Sequence, residues 1–217
     1  MNTNPRAKRI LCFGDSYTWE YRPLTNHLRF DSNTRWTGVL QEKLGDDFEI
    51  IEEGLNSRSL DSNDPRPGKE GRDGSKYLIP CLDTHDPVDL VILMLGSNEL
   101  KENYGKTVEQ IVDILEQRFV GVILNRKSQF KNSKPKLLLI APPIIDETKE
   151  YARSHKYKTE KSKKLSEILR NKYIRSEKLI FVDSNDYVEP GDDGVHIDET
   201  SHKKLAEGLF PKIKEIL

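Results

Sequence analysis

The stretch Arg9-Ile10-Leu11-Cys12-Phe13-Gly14-Asp15-Ser16-Tyr17 decides how this chain is read. Its apolar residues follow one another without polar alternation, the signature of a strand buried on both faces. The run stops in Gly14-Asp15-Ser16, a small polar turn that leaves the Ser16 hydroxyl at the sheet edge, with Gly14 permitting the tight turn. Runs of the same kind recur, giving strands over 9–13, 48–52, 90–95, 136–141 and 179–183. Between them, apolar spacing predicts helices over 35–44, 76–85, 108–124 and 159–173, and a last one over 199–216. Thr34 precedes the first helix, and Thr107 with Gln110 forms a capping box. Pro211 predicts a kink or break before Lys212. The alternation specifies an α/β fold with a five-stranded parallel sheet covered on both faces.

The chain has 217 residues, which suits a single domain over 1–217 with one sizeable core. With 35% hydrophobic and 33% charged residues it is too apolar for a disordered chain. Its 35 basic and 36 acidic residues leave a net charge of -1, so no overall field draws in nucleic acid or an anionic membrane. Residues 1–9 are followed by no apolar run long enough for a signal peptide, and nothing approaches the ~20 residues of a membrane span. A soluble, cytoplasmic protein is expected. Cys12 lies in a strand and Cys81 in a helix, a pattern of neither a disulfide framework nor a zinc site, so both are expected buried and reduced. Residues 61–74, rich in Asp, Pro, Gly and Arg, read as a long surface loop.

In an open α/β sheet, ligands bind beyond the carboxyl ends of the strands. Gly14-Asp15-Ser16 follows the first strand, Glu53-Gly54-Leu55-Asn56 the second, Gly96-Ser97-Asn98-Glu99 the third, and Asp193-Gly194-Val195-His196 comes about ten residues after the last. A serine hydroxyl needs a base within hydrogen-bond reach, and that base needs an acceptor to orient it. Ser16, His196 and Asp193 can fill those roles. The Ser16 N–H, the Gly54 N–H and the Asn98 side chain are candidate donors for the developing oxyanion.

Each motif also has an ordinary reading. Gly-Asp-Ser is a common turn, Gly54 can simply end a strand, and Asn98 can be a turn residue. Asp15 is expected to fix its turn through local hydrogen bonds. Glu199 and His202 repeat the Asp-x-x-His spacing, but within a helix, where it makes a surface neighbour pair. His27, His85 and His155 read as solvated or capping residues, and Cys12 as an inert buried thiol. Pro142-Pro143-Ile144-Ile145 is either an acyl-group wall or core packing.

Taken in order, Gly14-Asp15-Ser16, Gly54, Gly96-x-Asn98 and Asp193-x-x-His196 resemble the four blocks of the SGNH/GDSL hydrolases, a match running from Ile10 to His202. Arg35-Trp36-Thr37-Gly38-Val39-Leu40 and Glu52-Glu53-Gly54-Leu55 are similar to the bacterial arylesterase and acyltransferase branch. The resemblance implies a flavodoxin-like three-layer sandwich, no metal and no cofactor, a small-molecule ester substrate and homo-oligomerisation. It also implies catalysis by Ser16, Asp193 and His196, with Ser16, Gly54 and Asn98 as the oxyanion hole. Two departures stand out: Glu99 where the family usually has Asp, and a charged segment over 147–160 where an acyl-binding loop would be apolar.

Two other classes fit parts of the pattern. Asp15, Asp193 and His196 could serve a metal-dependent phosphoesterase, and the fold could be a noncatalytic flavodoxin-like binding module. The first strand lacks a G-x-G-x-x-G, which argues against a dinucleotide enzyme, and Thr18 stands where a G-x-S-x-G elbow needs its second glycine.

Overall fold

A computed structural model describes residues 2–64, 66–128 and 134–217. In chain order the elements are β1 (Lys8–Gly14), α1 (Ser16–Trp19), α2 (Trp36–Leu44), β2 (Phe48–Gly54), α3 (Gly74–His85), β3 (Leu90–Met94), α4 (Val108–Leu115), α5 (Gly121–Asn125), β4 (Lys136–Ala141), α6 (Glu150–Ser154), α7 (Thr159–Tyr173), β5 (Ile180–Asp183) and α8 (Glu199–Ile216). The five strands form one parallel sheet in the order β2-β1-β3-β4-β5. From Ile10 to Gly14 of β1 and throughout β3 every residue is buried, as continuous apolar runs require of strands covered on both faces.

The strand order reverses after β1. Right-handed crossovers therefore place α2 on the face opposite the helices that follow β2, β3 and β4. α8 returns to pack on α2, while α4 packs on α7. The reversal opens a crevice between the carboxyl ends of β1 and β3, the switch point where such sheets bind ligands. Ser16 and Asn98 begin the first turns after those two strands.

Local differences from the sequence reading have physical causes. The predicted helix over 108–124 is interrupted by a π-helical stretch, Glu116–Val120, whose wider turn keeps both Phe119 and Val120 buried. Pro211 does not end α8: it lies on the solvent face, as does Glu207, whose carbonyl it leaves without a helical donor, and Leu209 and Ile213 anchor the helix on either side. The N-cap of α2 is Arg35, without a side-chain cap, so Thr34 does not start the helix. The Thr107–Gln110 capping box is present, with both reciprocal bonds made. Cys12 and Cys81 are buried and free, and burial pushes the Cys12 thiol well up and Cys81 to about 12.

Candidate active site

Ser16 opens α1 directly beyond β1. Asp15 caps that helix: one carboxylate oxygen accepts from Tyr17 N–H at 3.0 Å and the other from the Ser97 hydroxyl at 2.7 Å. The first bond closes the serine turn and the second ties it to the end of β3. The Ser16 Oγ lies 3.0 Å from His196 Nε2, and His196 Nδ1 lies 2.7 Å from Asp193 Oδ2. The other Asp193 oxygen accepts from the Val195 and His196 N–H groups, each at 2.8 Å. Burial raises the Asp193 carboxyl, but the His196 bond and these two amides outweigh it and hold the group below its ordinary value.

The turn from Asp193 to His196 depends on Gly194. Its φ is 77°, and a β carbon there would stand 2.3 Å from the Asp146 carbonyl. The Tyr17 hydroxyl donates to Val195 O at 2.8 Å, fastening this turn to α1. Tyr21, with its ring centroid 4.4 Å from that of His196, and Tyr151, at 5.6 Å, flank the imidazole.

Asn98 faces the same cleft. Its Oδ1 accepts from the Lys101 ammonium at 2.8 Å and its Nδ2 donates to Arg58 O at 3.1 Å, so the amide is held from both ends and keeps one N–H unused. Lys101, a residue the sequence reading missed, is buried, and desolvation lowers its ammonium to about 8. Its signal was the spacing: three residues after Asn98, on a 3₁₀ turn, puts one side chain over the other. Glu99, the departure from the family pattern, does not touch Asn98. It accepts from Leu60 N–H at 2.5 Å, and burial raises its carboxyl to about 7.

Gly54 stands elsewhere than expected. The odd-numbered residues flanking β2 bond to β1, Asp47 O accepting from Lys8 N–H at 2.8 Å and Leu55 N–H donating to Gly14 O at 3.2 Å, whereas Ile50 N–H points off the sheet edge to Gln41. By that parity the Gly54 N–H faces the free edge. Its glycine is needed for packing, because a β carbon would lie 2.1 Å from Trp19 N. From this turn it is Asn56 and Ser57 that line the cleft, Ser57 in the left-handed region with φ 63°.

The cleft encloses about 370 Å³, including solvent at its mouth. The charged 147–160 segment gives it Tyr151 and Tyr157, while Glu150, Arg153 and Lys156 face outward. Pro142 and Pro143 are buried, and Ile144 and Ile145 border a separate depression with Val188. The loop over 61–74 is pinned at its base by a Ser59–Asp73 bridge and brings Arg66 and Lys69 to the cleft.

The remaining histidines divide. His202 is not on the surface: it is buried, neither ring nitrogen has a partner, and desolvation drops it to about 3. It occupies the α8 face shared with Leu205, Ala206 and Leu209, beside the Phe30 ring. His85 bonds Glu53 at 2.7 Å, His155 stacks on Tyr151, and His27 borders the cleft edge-on to Tyr21. Asp15, Asp193 and His196 do not converge as ligands. Among the described residues the ligand atoms that gather are those of Glu53, Cys81 and His85, within 4.8 Å of one another, where the Cys81 thiol stays protonated.

A family model of GDSL-like lipases/acylhydrolases matches residues 10–209. The chain belongs to this family. It is thus a hydrolase by lineage. The aryl esterase of M. smegmatis is 34% identical, with a TM-score of 0.87 over 97% of this chain and 100% of that one. Est24, a carbohydrate acetylesterase from Sinorhizobium meliloti, is 32% identical, with a TM-score of 0.83 over the same shares. The lipase/acylhydrolase from Enterococcus faecalis, at 18% identity and a TM-score of 0.65 over 96% of each chain, shares the fold. No curated protein matched the sequence. Among the described residues no helix is long and apolar enough to cross a membrane.

Proposed function

We propose that this GDSL-family protein is a serine esterase that cleaves short-chain carboxylic esters, acetyl or aryl, through an acyl-enzyme. The observation that carries the reading is the unbroken relay Ser16 Oγ, His196, Asp193 at 3.0 and 2.7 Å. His196 Nε2 takes the Ser16 proton as Oγ bonds to the ester carbonyl carbon, and Asp193 stabilises the imidazolium that forms. The oxyanion is held by the Ser16 N–H and by Asn98 Nδ2, which Lys101 and the Arg58 carbonyl orient. Ser57 N–H, from the turn that borders the cleft, takes the part first given to Gly54. When the ester C–O bond breaks, His196 returns the proton to the leaving alcohol. Water then attacks the acyl-enzyme, gives its proton to His196 and releases the acid as Ser16 recovers its hydrogen. An alcohol in place of water makes the same step an acyl transfer.

The tyrosine-walled, narrow cleft favours a short acyl group, and the similarity to a carbohydrate acetylesterase supports an acetyl ester, that to an aryl esterase an aryl one. Self-association belongs to the proposal: Leu24 and Leu28 are 69% and 55% exposed on the segment that carries cleft-lining His27. Light scattering on the purified protein tests it. For the chemistry, 4-nitrophenyl acetate hydrolysis is compared between wild type and Ser16→Ala, with labelling by a serine-directed phosphonate. A kcat loss of ~10⁴-fold or more and loss of labelling are expected; full activity in Ser16→Ala would sink the proposal.

A further inference from the structure

The cleft holds more positive charge than ester cleavage uses. Arg66, Lys69 and Lys101 all line it, in a protein whose net charge is -1. Arg66 is matched by Asp64, whose two carboxylate oxygens accept from its Nε and Nη2 at 2.8 and 2.6 Å. The other two cations have no such counterpart. Among the described residues neither Lys69 nor Lys101 is in an ion pair, and the Lys101 ammonium, 5% exposed, spends one of its three protons on Asn98. Lys69 is half-buried at the rim, where desolvation and then Arg72 and Arg66 lower its ammonium and Asp64 partly opposes them. Among the described residues no carboxylate lines the cleft itself; the acids that act on these lysines, Asp64 on both and Glu99 and Asp15 on Lys101, lie outside its lining. Partly desolvated cations without counter-ions are costly to fold. Gathered around one concave site, they attract and orient an anion.

Resting on the serine-esterase reading, we infer that the substrate carries a carboxylate beside its scissile ester, engaged by Lys69 at the mouth of the cleft and drawn by the field of Lys101 within it. A carboxylate on the acid side or on the alcohol side of the ester presents the same chemistry to these ammonium groups. The 61–74 loop is therefore a specificity element, since it supplies Lys69 directly to the rim.

The test measures kcat/KM, corrected for intrinsic reactivity by alkaline hydrolysis rates, on two pairs of esters, each with one anionic and one neutral member. Mono-4-nitrophenyl succinate against methyl 4-nitrophenyl succinate places the carboxylate on the acyl side; 4-acetoxybenzoate against methyl 4-acetoxybenzoate places it on the alcohol side. Wild type is expected to favour the anionic member of one pair by about tenfold, the worth of one charge-assisted hydrogen bond. Lys69→Met should bring that ratio near unity while neutral-ester turnover stays within about twofold, and added salt should erode the wild-type preference. No anionic preference in either pair, or a preference that survives Lys69→Met, overturns the inference. Failure to turn over the neutral esters would instead sink the esterase reading, so the two are separable.

Discussion

Replacing Lys101 by methionine removes the ammonium that holds the Asn98 amide while keeping a side chain of similar length in the same buried space. The bond at issue is 2.8 Å from Nζ to Oδ1, in a site almost closed to water. A hydrogen bond to a charged group is worth ~1.5–3 kcal/mol. At ~1.4 kcal/mol per factor of ten, that is a fall in kcat of roughly 10- to 100-fold. The loss should stay below that of Asn98→Ala, which removes an oxyanion donor outright at ~2.7–4 kcal/mol, because the Arg58 carbonyl still holds Nδ2. The assay is steady-state hydrolysis of a neutral acetyl ester by pH-stat, with both single variants and the double. Positioning through Asn98 predicts that Lys101→Met costs little further in the Asn98→Ala background. It also predicts that wild-type kcat declines as pH rises past about 8, where Lys101 loses its charge, and that the methionine variant lacks this decline. Undiminished kcat in Lys101→Met, or an equal cost in both backgrounds, would refute the reasoning.

Three further outcomes follow from buried groups. His202 has a folded value of about 3 against an ordinary 6.5, so its stabilising contribution is whole above 6.5 and is lost as pH falls toward 3. Urea midpoints of His202→Leu should lack that part of the acid slope, ~1.4 kcal/mol per pH unit, with kcat little changed; an unaltered slope counts against a buried neutral imidazole. Glu99 runs the other way, raised to about 7 from 4.5: its contribution is whole below 4.5 and is lost as pH rises to about 7, so Glu99→Gln should gain on wild type across that interval in the same measurement. Gly54→Ala should lower the melting temperature by several degrees, since overpacking costs ~1–3 kcal/mol and its β carbon meets Trp19 N; an unchanged melt would disprove the close approach.

Much of the active site was legible because its residues sit at strand ends. Ser16 follows β1, Asn98 follows β3, and Asp193 and His196 lie three apart, so local order along the chain carried their positions into space. Gly54 could be read from the sequence as a donor or as the end of a strand, but not as the close approach to Trp19 that the packing shows. Whether an N–H faces the neighbouring strand or the free edge depends on register parity, and the sheet order that makes β2 an edge is not written in any one segment. The 147–160 segment looked too charged for a cleft wall because composition does not say which side chains face inward; Tyr151 and Tyr157 do, and the charges do not. His202 fits the i, i+3, i+4, i+7 spacing of the buried α8 face, a pattern overshadowed by its polarity.

Apolar periodicity and turn chemistry act over a few residues, so the five-stranded parallel sheet, its punctuation and the serine, histidine and aspartate of the relay can be read along the chain. How the Asn98 amide is aimed, which turn residue borders the cleft, where His202 is buried and which cations surround the serine are settled by packing between segments. Those depend on the distances between segments far apart in the chain, Lys69 from a loop, Lys101 from the turn after β3 and His196 from beyond β5, and such distances exist only once the sheet has closed its core.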